Sequence, residues 1–353
     1  MIKALKHGSY KHHLVGLLAI LLVAVVALPG CSTDQAAGPP PVRIPPAAPQ
    51  RADLLCRIEP VKILDNETFV ELYRVLATQN ADIPQTLDAA LYKVKNETGI
   101  DLGNITEAVV FADTATLNEY LGFSQGSESV PYFGALVEGY LGEITFISSI
   151  EERTAQTLKR SDYQGHVIYT VAALDGQDEV LSVACPTEGK FVIGTGQAVK
   201  DVIDVTVGLQ EPVSDEVFDL YSQLGDAPVK LASAVPDYLM ERIPEQIPLG
   251  PINVNLSSFR DIEYATLTLT ENEAIINAEA RLEFSSEDSA RTSEQLISTG
   301  IIAAKTLLPD PDIRELLSKV HTSRSGSSVS LALALTVSEI ERLLSAMSAE
   351  EKP

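Results

Sequence analysis

The stretch ATLTLTENEAIINAEARLEF, residues 265–284, holds two runs of strict alternation. Ala265, Leu267 and Leu269 alternate with Thr266, Thr268 and Thr270, and Ile276, Ala278, Ala280, Leu282 and Phe284 alternate with Asn277, Glu279, Arg281 and Glu283. Successive side chains of a strand point to opposite faces, so each run carries one apolar and one polar face. The separator Glu271 to Glu273 is far too short for a parallel crossover. The two strands therefore form an antiparallel hairpin, wet on one face and covered on the other by helices.

Outward from that hairpin the same grammar recurs. Leu54, Cys56 and Ile58 alternate with Asp53, Arg57 and Glu59, the period of a half-buried strand within 52–59. Phe69, Leu72, Tyr73 and Leu76 share one helical face, and Leu87, Leu91 and Val94 share another after Pro84. Ser328 to Leu335 sets Val329, Leu331, Leu333 and Leu335 against small residues, which suits either a cavity wall or a helix packed closely. Three segments, AVVFADTATLNEYL (108–121), KFVIGTGQAVKDVI (190–203) and LALALTVSEIERLL (331–344), run from an apolar strand through a threonine into an amphipathic helix. A threonine N-cap explains each locally, and internal duplication is the alternative. Pro248, Gly250 and Pro251 mark a boundary between two lobes, 52–250 and 251–348, with 349–353 as a tail. The expected fold class is α+β: antiparallel sheets with amphipathic helices packed on one face, in two lobes.

Composition narrows the function classes. The 353 residues are 45% hydrophobic, enough for a real core, and Lys plus Arg total 26 against 49 for Asp plus Glu, a formal net charge of −23. So acidic a chain does not bind nucleic acid or an anionic bilayer by charge. Three cysteines exclude a disulfide-rich scaffold and a four-cysteine zinc site. Cys56 and Cys185 fall on inward positions of their strands and read as two separately buried thiols, with a disulfide between them as the alternative.

The amino terminus carries the clearest message. Lys3, Lys6 and Lys11, with no acid among them, precede the apolar run Leu14–Leu28 and then Pro29, Gly30 and Cys31. The run is 15 residues long, short of the roughly 20 a spanning helix needs, and reads as the core of an export signal over residues 1–30. The tetrapeptide Leu28-Pro29-Gly30-Cys31 resembles the lipobox of bacterial lipoproteins, matching it at Leu28 and Gly30 and departing at Pro29, where the family usually has a small or β-branched residue. The resemblance implies cleavage by signal peptidase II before Cys31, a thioether-linked diacylglycerol on that cysteine, and a lipid-anchored protein on the cell membrane or outer membrane, facing away from the cytoplasm. Removing residues 1–30, which hold three lysines and no acid, leaves a net charge of −26. Residues 31–51 follow as the lipidated cysteine and a stalk with prolines at 39, 40, 41, 45, 46 and 49.

Catalytic motifs fail on context. Gly122-Phe123-Ser124-Gln125-Gly126 matches G-x-S-x-G and resembles the nucleophile elbow of α/β-hydrolases, which would make Ser124 a nucleophile. That elbow needs a strand before the serine and a helix after it; here helix precedes and loop follows. Gly194-Thr195-Gly196 lacks the third glycine of a dinucleotide loop, and helix capping accounts for it. His166, His321 and the Asp310-Pro311-Asp312 turn have no ligand-spaced company, so no metal, cofactor or catalytic residue is expected. Residues 52–347 are diffusely similar, without a sharp motif, to uncharacterised exported bacterial proteins that carry domains of unknown function, a similarity that implies no activity. The expected role is non-catalytic: binding, scaffolding or envelope maintenance, with an envelope protein or an apolar ligand as partner and no nucleic acid. The alternative is a carrier or chaperone for lipids, resembling lipoprotein-carrier proteins whose curved antiparallel sheet cups a greasy cavity. A serine hydrolase using Ser124 ranks third.

Overall fold

A computed structural model of the chain describes residues 47–79, 83–98, 101–116, 132–140, 147–148, 151, 158–171, 181–241, 243–249, 252–307 and 311–349. The described chain enters the fold at Ala48, fully buried, where the Val213 N–H donates to the Ala48 carbonyl at 2.8 Å and the Gln50 N–H to the Glu211 carbonyl at 3.2 Å. Strand β1 (Leu54–Ile58) leads into helices α1 (Pro60–Leu64), α2 (Glu67–Gln79) and α3 (Leu87–Thr98). Then come β2 (Ile105–Ala112), β3 (Phe133–Gly139), β4 (Lys159–Tyr163), β5 (His166–Val171), β6 (Leu181–Thr187) and β7 (Lys190–Gly194). Helices α4 (Gly196–Thr206) and α5 (Asp215–Gln223), strand β8 (Val229–Ala234), α6 (Asp237–Glu241), β9 (Gln246–Leu249) and β10 (Ile252–Asn255) follow. The chain finishes with β11 (Ile262–Asn272), β12 (Ile275–Phe284), α7 (Glu287–Leu307), α8 (Pro311–Ser318), β13 (His321–Ser325), β14 (Ser328–Thr336) and α9 (Val337–Ala349). The class is α+β, and every strand pair with a described register runs antiparallel.

Contacts divide the chain at Thr266/Leu267, inside β11, rather than at the expected 250/251. The physical reason lies in the prolines. Pro248 belongs to β9, which pairs with β10 as a separate two-stranded ribbon in the register Leu249↔Ile252. A ribbon with open edges tolerates proline, so Pro248 stands within regular structure and not in a linker.

In the unit Asp34–Thr266 the strand order is β11-β8-β1-β2-β3-β7-β6-β5-β4. One face packs Leu55, Val109, Phe111 and Val192 beneath Val199, Val202 and Ile203 of α4, and Val217 of α5 joins the same cluster. The other face has its own cluster, Ile105, Val137, Leu158, Tyr169, Val183 and Phe191. Strands β3, β6 and β7 are therefore apolar on both sides, which is why their sequences run without clean alternation. Across the sheet, Phe111 stands opposite Gly134, Gly134 opposite Gly194, and Gly194 opposite Ser182. Small residues along this row let the Phe111 ring lie over Gly134 and bring the strands' own backbone close to Gly194.

In the unit beginning at Leu267 the order is β13-β14-β12-β11. The expected hairpin is β11–β12, closed by Glu273 (φ 51°) and Ala274 (φ 64°). Both φ values are positive, the signature of a type I′ turn, in residues that rarely adopt that region. The Ala274 N–H donates to Glu271 Oε1 at 2.7 Å and holds the turn in place. Ile276↔Leu335 and Ala278↔Leu333 put the apolar positions of β12 and β14 on one face. Val329 and Leu335 are fully buried, on a strand in contact with α7 and α9.

The three threonines divide by mechanism. Only Thr336 caps through its hydroxyl: it accepts from the Glu339 N–H while Glu339 Oε2 accepts from the Thr336 N–H at 3.0 Å, a reciprocal capping box. Lys319 pairs with the other oxygen of Glu339, and although burial works the other way, these partners hold the Glu339 carboxyl below its ordinary range. Thr195 stands at the N-cap of α4 with extended backbone but makes no cap bond. At the first site Asp113 is the cap, its Oδ1 accepting from the N–H groups of Ala115 and Thr116, while Thr114 turns away to Asp53.

Candidate functional site

Two polar groupings, one buried and one running from half-buried Arg57 out to exposed Lys62 and Asp226, hold charged residues that the apolar core does not explain. The first is built on α4. Ala198, Val199, Val202 and Ile203 form its inner stripe, and Asp201 lies on that stripe at 8% exposure. The Tyr132 hydroxyl donates to Asp201 Oδ2 at 2.9 Å and Gln197 Nε2 to Oδ1 at 2.6 Å, so both carboxylate oxygens are satisfied. Arg51 stacks 4.4 Å from the centre of the Tyr132 ring and pairs with Asp113 at 3.1 Å, tying the entering chain to the end of β2. One turn along the helix, Asp204 Oδ2 accepts from the Tyr163 hydroxyl at 2.8 Å, and Lys200 lies 5.9 Å from the Tyr163 ring centre. Burial and then the Asp201 bond push the Tyr132 hydroxyl far above its ordinary range; at Tyr163 the Asp204 bond comes first and burial second. Beside this grouping Asp53 accepts from the Thr114 hydroxyl at 2.7 Å, yet burial outweighs that bond and raises its carboxyl.

The second grouping lies where β1 ends. Arg57 binds Glu107 at 2.7 Å and Glu59 at 2.9 Å, and Lys62 binds Asp226 at 2.9 Å. Arg57 stands directly opposite Lys230 across β1 and β8, a like-charge pair that the surrounding acids offset. Lys230 rests 4.2 Å from the Tyr221 ring centre, and burial followed by Arg57 lowers its ammonium below the usual range. Most of these charges pair with one another across elements distant in sequence, the arrangement of a structural clamp on α1 and the ends of β1 and β2.

Of the residues singled out in the sequence, Cys31, the stalk through Pro46, Ser124 and Asp310 lie outside the described residues. His166 is half-buried at the start of β5 opposite Tyr163, and His321 is exposed at the start of β13. Cys56 and Cys185 are half-buried and not joined in a disulfide, and burial pushes the Cys56 thiol up to about 11. Cys185 Sγ donates to the Thr187 carbonyl at 3.2 Å. Gly194, Thr195 and Gly196 lie at the junction of β7 and α4, where Thr195 occupies the N-cap position without the expected side-chain cap bond. Among the described residues no group of three His, Cys, Asp or Glu side chains is placed to hold a metal ion, and no helix is long and apolar enough to cross a membrane. Sequence reasoning passed over Asp201 and Asp204. Their signal was present, since an acid three residues after Ala198 falls on the same helical stripe as the core.

Comparison with known proteins follows from this geometry. No family model and no curated protein sequence matches the chain. Solved structures of TP0453 do. Its crystal form III has a TM-score of 0.47 at 12% identity, covering 87% of this chain and 98% of that one. Crystal form I gives 0.43 at 12% identity over 86% and 98%, and crystal form IV gives 0.45 at 13% over 85% and 96%.

Proposed function

We propose that this protein is a bacterial lipoprotein, held on a membrane through Cys31, whose folded part binds or scaffolds other envelope components without catalysing a reaction. The observation that carries the reading is the Leu28-Pro29-Gly30-Cys31 tetrapeptide at the end of an apolar run, set a short distance ahead of Ala48, the first buried residue among those described. Sixteen residues separate Cys31 from Ala48; at about 3.1 Å each in polyproline II form they reach roughly 50 Å, enough to lift the fold clear of a lipid headgroup layer. Asp201 and most of the charges at the end of β1 are engaged with internal partners, which suits a structural role for the buried charges better than a catalytic one. A net charge of −26 on the exported part offers an acidic bilayer no attraction, so the lipid alone must hold the protein there.

That distinction is measurable. Membranes from expressing bacteria should keep the protein through a wash in molar salt, which screens charge contacts beyond a few ångströms, and release it only to detergent. Release by salt, or recovery in the soluble fraction, would overturn the anchor.

A further inference from the structure

We infer that the exposed edge strand β4 pairs with β4 of a second copy of this chain, antiparallel and centred on Ser161. Strand β4 is the terminal strand of its sheet, and Lys159, Arg160, Ser161 and Asp162 are all exposed. It is joined to β5 by the two-residue turn Gln164 (φ 50°) and Gly165 (φ 79°), which closes on the pair Tyr163↔His166. A type I′ turn closes on a pair that exchanges both backbone bonds, so Tyr163, Ser161 and Lys159 direct their backbone groups to β5. Arg160 and Asp162 direct theirs outward, where among the described residues no strand meets them.

The register follows from these two outward residues. Placing Ser161 opposite Ser161 of the second copy puts each Arg160 opposite an Asp162. The outward N–H and C=O groups then meet as hydrogen-bonded pairs, and every such pair carries opposite charges on the same face. Two ion pairs and four backbone bonds form about a two-fold axis, the isologous arrangement of a closed dimer. A slip of two residues sets Arg160 against Arg160 or Asp162 against Asp162 and is penalised by like-charge repulsion. The edge strand β13 provides the contrast. The same construction there sets Thr322 against Arg324, with no ion pair, whereas on β4 the Arg160 guanidinium, which donates to the Tyr169 hydroxyl at 3.1 Å, keeps further donors for an Asp162 of the second copy. Charged edge residues ordinarily discourage pairing, but the signs on β4 discourage every register except this one.

Cysteine cross-linking in the full-length protein tests the register. Residues facing each other without a backbone bond lie about 4.5 Å apart at Cα, within disulfide reach. Ser161→Cys should therefore convert to a covalent dimer under mild oxidation, above the background set by the native thiols of the unsubstituted protein. Lys159→Cys, equally exposed but facing Tyr163 of the second copy, should stay at that background. Adding Asp162→Arg to Ser161→Cys should abolish the dimer by opposing two arginines, and adding Arg160→Asp as well should restore it. Equal cross-linking at positions 159 and 161, no cross-linking at 161, or indifference to the charge reversal would each overturn the proposal.

Discussion

Gly194→Ala should cost about 3 kcal/mol or more of stability, one of the largest losses a single methyl can cause. The added Cβ would come 2.5 Å from the Phe133 carbonyl oxygen and 2.7 Å from the Gly134 Cα, both backbone atoms of the neighbouring strand. Neither can move without breaking the β3–β7 ladder. Gly134→Ala meets a different obstacle, the Phe111 ring tip at 2.4 Å, and a side chain can be shortened. Phe111→Leu should therefore rescue Gly134→Ala, the double variant being less destabilised than the sum of the singles by about 1 kcal/mol, and it should not rescue Gly194→Ala. Chemical denaturation of the four variants decides this. Equal behaviour of the two glycines would mean that the row Phe111–Gly134–Gly194 is not packed as described.

Cys31→Ala should abolish lipid attachment while leaving the fold unchanged: a form released by another peptidase leaves the membrane, and an uncleaved precursor is held there only by the apolar run Leu14–Leu28. A single acyl chain gives only marginal binding, whereas the two or three chains implied by the lipobox hold a protein firmly, and nothing in the acidic remainder substitutes for them. Cys31 lies outside the described residues, none of which the substitution alters. The variant should accumulate as an uncleaved precursor, or be released by another peptidase, with the unfolding transition of its folded part unmoved. Continued incorporation of labelled palmitate by the variant would contradict the assignment of Cys31.

The legible part of this fold is the part that is wet on one side. In β12 the expected alternation holds, with Ile276, Ala278 and Phe284 buried and Glu279 exposed, and the hairpin could be drawn from the sequence; in β11 the expected wet position Thr266 is instead buried. The strand at 54–58 was readable but its faces were not: Leu55, on the side of Arg57, is fully buried while Leu54, Cys56 and Ile58 are half-buried. The helices at 67–79 and 87–98 were readable from their apolar stripes. Strands β6 and β7 were harder, because both their faces are buried and burial on both sides erases the period of two. The expected boundary at 250/251 and the contact division at Thr266/Leu267 differ, because a proline such as Pro248 can stand within a ribbon strand as well as in a linker. The Glu273-Ala274 turn escaped notice because neither residue favours positive φ; its shape is imposed by the strands on either side. Three similar threonines suggested one mechanism, yet Thr336 alone has a glutamate three residues on to complete the box. At the candidate sites, Asp201 was the detectable miss, an acid on an apolar stripe, while its partner Tyr132 lies 69 residues away and only the fold brings them together.

The measurement that bears most directly on the proposed anchor is the mass of the mature protein's amino-terminal peptide, taken from bacterial membranes. The account predicts that the peptide begins at Cys31, without residues 1–30, and carries a thioether-linked diacylglycerol together with an acyl chain on the new terminus. A peptide that retains residues 1–30, or one that begins elsewhere with Cys31 unmodified, would contradict it.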